Sequence, residues 1–140
     1  MRSSRETDIL NKNYHGGAGE MYLVGRIDKE IYKCITADIV TDEVIITDNQ
    51  IQHIKERHPN DFERFQTYFA IIISEPDYIL RANRPNTGVI LKTIEENGER
   101  LKLILRLQTS IDVCGFKNSI ITFQKVEEKR YNRYLRNSLA

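Results

Sequence analysis

The chain is poor in the residues that build metal centres and redox pairs. It has two cysteines and three histidines in 140 residues. Cys34 and Cys114 are far apart and form no CxxC pair. That spacing offers no zinc site, and two reduced, partly buried thiols are expected rather than a disulfide. No apolar run approaches the roughly 18 residues of a membrane span, so no membrane association is expected. The first twenty residues are polar and lack the apolar centre of a signal peptide. A fragment released from the C-terminal end of a longer protein would lack one as well. There is no glycine-rich loop at a helix start to cradle phosphates, and no nucleophile elbow. Repeats and low-complexity stretches are absent. No metal and no cofactor are expected.

What is present is an ordinary globular composition, 40% hydrophobic and 29% charged, at a length that suits one domain. The net charge of +1 hides an asymmetry. Residues 101–140 hold eight Lys/Arg against three Asp/Glu, a net of +5, while residues 1–100 carry a net of −4. A basic C-terminal part can supply a local anion-binding face, although a solvated basic helix gives the same count.

Residues 1–20 read as a flexible lead, with His15-Gly16-Gly17-Ala18-Gly19 resembling a linker, and residues 21–140 read as one domain. Short strands are expected at Met21–Ile27, Ile31–Ile35 and Glu43–Thr47. Thr47 with Gln50 has capping-box spacing for a helix that carries Ile51 and Ile54 inward and stops at Pro59. Asn60 or Asp61 caps a second helix with the stripe Phe62, Phe65, Phe69, Ile72 and Ile73. Strands then follow at Tyr78–Leu80, Val89–Glu95, Arg100–Thr109 and Ser119–Val126. Asn97-Gly98 is the hairpin signal between the second and third of these. In Arg100–Thr109 the leucines 101, 103, 105 and 107 alternate with Lys102, Ile104, Arg106 and Gln108. Glu127–Leu139 reads as a basic terminal helix. The sum is an α+β domain with a four-stranded antiparallel sheet.

The chemistry concentrates in His53-Ile54-Lys55-Glu56-Arg57-His58-Pro59. Histidine titrates nearest neutrality, and its basic neighbours attract anions. The two imidazoles are five residues apart, about 140° around a helix, so they do not share a face. His53 is helix-borne, with Arg57 as its same-face neighbour, and His58 sits at the helix exit. Metal-free RNA cleavage needs a base for the 2′-hydroxyl, an acid for the leaving oxygen and a cation at the phosphate. His53, His58, Lys92, Arg106 and Thr122 are the catalytic candidates. Arg57, Lys125, Tyr131 and Tyr134 are the substrate-binding candidates. Lys92 has two open registers. A two-residue Asn97-Gly98 loop sets it opposite Leu103 on the leucine face, whereas a three-residue loop pairs it with Ile104 on the face of Arg106.

The run from Ile46-Thr47 through His53-Ile54 to Arg57-His58-Pro59 resembles the phage-associated branch of the barnase–EndoU–colicin–RelE nuclease superfamily. Glu75-Pro76-Asp77-Tyr78-Ile79, the lysine strand around Lys92, the strand ending near Arg106 and Ile120-Ile121-Thr122-Phe123 follow the same layout. The stretch from Thr122 to Tyr134 is similar to the end of small RelE-like toxins. The likeness spans roughly residues 22–136. It implies helices packed on a four-stranded antiparallel sheet and RNA bound over the exposed sheet face. It also implies metal-independent endoribonuclease activity of toxin type, tRNA being one target, and an immunity or antitoxin protein as partner. The site of action would be cytoplasmic, with delivery as part of a larger secreted or phage protein. The competing readings are a non-catalytic RNA-binding or protein-interaction module, and a structural accessory domain of a phage or mobile element.

Overall fold

The computed structural model describes residues 13–15, 20–113 and 116–139. Seven strands form one mixed sheet: β1 (Asn13–His15), β2 (Glu20–Arg26), β3 (Glu43–Thr47), β4 (Tyr78–Arg81), β5 (Thr87–Thr93), β6 (Arg100–Arg106) and β7 (Asn118–Val126). Their order across the sheet is β1-β2-β3-β7-β6-β5-β4. The expected four-stranded antiparallel meander is there as β4-β5-β6-β7. It is only part of the sheet, because β3 joins β7 in parallel through Val44–Asn118 and Ile45–Ser119 and brings β2 and β1 with it. Asn13–His15, within the expected lead, pairs antiparallel with β2.

The parallel contact is short, and its end decides where the first helix goes. β7 runs on to Val126 without β3 beside it. Helix α1 (Asp48–Arg57) leaves β3 at Thr47 and packs along that vacated length of β7. Its start is the expected capping box. Thr47 Oγ1 accepts from Gln50 N–H and Gln50 Oε1 accepts from Thr47 N–H, each at 3.2 Å, which satisfies two otherwise unpaired donors. Ile51 and Ile54 face the core.

The second helix is broken. It consists of α2 (Asp61–Phe65), a tighter turn at Gln66–Tyr68 and α3 (Phe69–Ser74). The break keeps the stripe facing one way: Phe62, Phe65, Phe69, Ile72 and Ile73 are all buried. Phe69 and Phe65 meet Phe123 of β7 at ring distances of 4.5 and 6.1 Å. Leu101, Leu103 and Leu105 of β6 belong to the same core. Ile31–Cys34 is a 3-10 turn and not a strand. It buries Tyr32, whose hydroxyl donates to Ile73 O at 2.7 Å, and leaves Cys34 exposed rather than partly buried. Cys114 lies outside the described residues.

The opposite face of the sheet is covered only in part. Helix α4 (Glu128–Leu139) lays Tyr131, Tyr134 and Leu135 against Leu80, Val89, Leu91 and Val126. Beyond α4 the face stays accessible around Ile104, Arg106 and Thr122, all partly exposed. No described helix is long and apolar enough to cross a membrane.

Candidate active site

Period-two geometry assigns the β6 side chains. Leu101, Leu103 and Leu105 go to the core, and Lys102, Ile104 and Arg106 to the open face. Thr122 of β7 lies directly opposite Ile104 and shares that face. A bulge follows, because Leu105 pairs with Ile120 and leaves Ile121 as the extra residue in β7. Ile121 thereby lines a cavity together with Ile104 and Arg106.

His58 closes helix α1 near the end of β7. Its N–H donates to Ile54 O at 2.8 Å as the helix ends, and its carbonyl accepts from Asp61 N–H at 3.1 Å. Asn60 closes the turn in the left-handed region at φ +74°, a conformation asparagine tolerates better than most residues. Asp61 accepts from Lys125 N–H at 2.9 Å, which fastens the turn to the end of β7. Burial lowers the half-buried imidazole below its ordinary pKa. Asp61 opposes that shift, while Lys102, Arg57 and Arg130 add to it. These cations therefore act on His58 from three elements: α1, β6 and α4.

Lys102 Nζ donates to Tyr134 Oη at 2.9 Å and lies 5.1 Å from that ring's centroid. Arg130, one turn earlier on α4, stands 5.9 Å from the same ring. Burial raises the Tyr134 phenol, but Lys102 and Arg130 outweigh it and the net shift is downward. Lys102, Arg130 and Tyr134 thus form one cationic group with an acidified phenol, and the charges of Lys102 and Arg130 also bias the His58 imidazole toward its neutral form.

Arg106 stands four residues along β6 from Lys102, about 13 Å at ~3.3 Å per residue. Its guanidinium is engaged in a fork with Asp112 at 2.8 and 3.0 Å and also donates to Leu107 O. The arginine, with help from Thr109 N–H, holds the Asp112 carboxyl far below the usual carboxylate range. This pair pins the β6–β7 loop.

The remaining candidates lie apart from that cluster. Lys92 pairs with Leu101, so it sits on the core side of the sheet. Its ammonium donates to Glu75 O at 2.6 Å and reaches Asp77 at 3.4 Å. Neither anticipated register holds. Ile94 N–H bonds Glu99 O, so Glu95, Glu96, Asn97 and Gly98 all lie in the turn, with Gly98 at φ +70°. Lys125 is likewise opposite Leu101, 3.7 Å from Glu99. Tyr131 is buried edge-to-face against Tyr78 at 6.4 Å and contributes to packing. His53 and Arg57 lie on the exposed side of α1. Lys102 was missing from the candidates, and Arg130 stood only among the cations of the terminal helix. Their signals were in the sequence: Lys102 alternates out of the leucine face with Arg106, and Arg130 precedes Tyr134 by one helical turn.

A family model described as phage-Barnase-EndoU-ColicinE5/D-RelE like nuclease2 matches residues 21–139. The chain belongs to that family, and a nuclease of this type is the class its sequence and fold define. No curated protein and no solved structure matches it significantly.

Proposed function

We propose that the protein is a metal-independent endoribonuclease of toxin type, with the cut made at the His58–Lys102–Arg130–Tyr134 cluster. The observation that carries this reading is the Lys102–Tyr134 hydrogen bond with Arg130 beside the same ring on the open sheet face, together with a nearby imidazole that burial and these charges bias toward its neutral form. His58 takes the 2′-hydroxyl proton. The 2′-oxygen attacks the adjacent phosphorus, and the bond to the 5′-oxygen breaks. Lys102 and Arg130 stabilise the charge on the phosphoryl oxygens. Tyr134 donates its proton to the leaving 5′-oxygen, which Lys102 aids by favouring the phenolate. Thr122 orients the phosphate from the neighbouring strand. Arg57 and the exposed cations of α4 hold flanking phosphates, and His53 takes an outer position. The products are a 2′,3′-cyclic phosphate end and a 5′-hydroxyl end.

The same reading carries a toxin role in the cytoplasm, an immunity or antitoxin partner and delivery within a larger phage or secreted protein; the family's description supports only the phage association and the nuclease. A second reading is a non-catalytic RNA-binding domain, favoured by Arg106, which Asp112 holds away from any transferring phosphate while the cations of α4 stay exposed. Purified protein incubated with tRNA and total RNA in EDTA separates the two. Fragments with cyclic phosphate ends support the nuclease. Salt-dependent binding without fragments supports the binder.

A further inference from the structure

Beside Arg106 lies a cavity of about 590 Å³ that the cleavage chemistry does not use. Its apolar floor is Ile104 with the bulged Ile121, and its wall is the β4–β5 turn carrying Asn83 and Arg84. It shares Asn83 and Ile104 with a second cavity that reaches Lys102 and Tyr134. The two therefore form one trough along β6, running away from the cationic cluster.

The wall is preformed. Ala82 N–H bonds Thr87 O at 3.0 Å, the Thr87 hydroxyl donates to Pro85 O at 2.9 Å, and Asn86 O accepts from Leu107 N–H at 2.8 Å. Asn86 turns the chain at φ +57°. Among the described residues, the side chains of Asn83 and Arg84 make no hydrogen bond or ion pair. A rigid loop thus presents an amide, with one acceptor and two donors, over an apolar floor beside a cation.

Flat apolar surface, one amide edge and a nearby guanidinium are the elements that recognise an unpaired nucleobase and its phosphate. We propose that this cavity is a base-selective subsite of the RNA-binding face, taking a nucleobase adjacent to the cut. Ile104 and Ile121 carry the base, Asn83 reads its edge and Arg84 meets its phosphate. The proposal rests on the RNA reading above and adds the residue that sets sequence preference.

The test uses single-stranded oligoribonucleotides that differ only in the base on either side of the cut, with wild-type protein and Asn83→Ala. Non-cleavable 2′-O-methyl versions are measured in parallel by fluorescence anisotropy. Wild type is expected to favour one base at one flanking position at least ten-fold, and Asn83→Ala to reduce that preference to about two-fold. If nothing is cleaved but the non-cleavable oligomers show the same base-dependent affinity, lost in Asn83→Ala, the subsite stands and the nuclease assignment falls. Equal treatment of all four bases by wild type, or an unchanged preference in Asn83→Ala, overturns the subsite even if RNA is cut.

Discussion

Lys102 of β6 and Tyr134 of α4, 32 positions apart in the chain, are joined by a hydrogen bond of 2.9 Å from ammonium to phenol oxygen. The Lys102 charge lowers the pKa of both His58 and Tyr134, as does that of Arg130. Removing the Lys102 charge should therefore move two titrations at once. In Lys102→Met the His58 imidazole and the Tyr134 phenol are both expected to titrate at higher pH than in wild type. NMR titration of labelled histidine and tyrosine measures this. A Tyr134 pKa unchanged in Lys102→Met would contradict the assignment of its downward shift.

His58 also links stability to pH. Burial lowers its pKa in the folded chain, so below about 6.5 the unfolded chain binds more protons than the folded one. Its contribution is present above the unfolded pKa and is lost as the pH falls through the folded pKa. Wild type should lose more stability between pH 7 and pH 5 than His58→Gln does, and paired urea unfolding curves test this. With Tyr134 as the acid, the same lowered pKa predicts a cleavage rate that rises with pH through a midpoint below 6.5, levels off, and falls again as the Tyr134 phenol ionises below its ordinary range.

Arg106 and Asp112 hold the loop after β6. In addition to the fork, Asp112 accepts from Thr109 N–H at 2.7 Å. Asp112→Asn is expected to lower the melting temperature and speed amide exchange at Thr109 and Ser110. Hydrogen exchange as fast in wild type as in the variant would show that the loop is not pinned by this pair.

Tyr131 and Tyr134 are three residues apart and differ in role. Tyr131 is buried between Tyr78, Leu91 and Val126. Truncation to alanine should cost about 3 kcal/mol of stability, the scale of losing a buried aromatic ring. At a temperature where Tyr131→Ala is folded, its RNA affinity should stay within about two-fold of wild type, because the ring stacks on protein rather than on bases. Tyr134→Phe should keep stability and lose cleavage. A Tyr131→Ala variant that is fully stable but cannot bind RNA would reverse the two roles.

How much of this was legible in the sequence varied with distance along the chain. The capping box, the leucine alternation of β6 and the basic final helix are local patterns, and they appear where residue spacing puts them. The parallel β3–β7 pair was hidden, because it joins segments more than seventy residues apart and no turn announces it. For Lys92 the two-residue loop gave the right face, the leucine face, but the wrong partner, Leu103 instead of Leu101, because the turn carries two residues more than Asn97-Gly98 alone; the three-residue loop gave the wrong face. Lys102 was visible as an outward residue, but its tie to Tyr134 depends on how α4 crosses the sheet. His58 at a helix exit was legible; the neighbours that tune it come from β6 and α4.

The most direct measurement is RNA cleavage by single histidine variants in EDTA. With His58 as the base beside Lys102 and Arg130, His58→Ala should lower the rate by roughly 10²–10⁴-fold, while His53→Ala, on the exposed side of α1, should stay within a few-fold of wild type. A folded His58→Ala protein that cuts RNA at the wild-type rate would contradict the account.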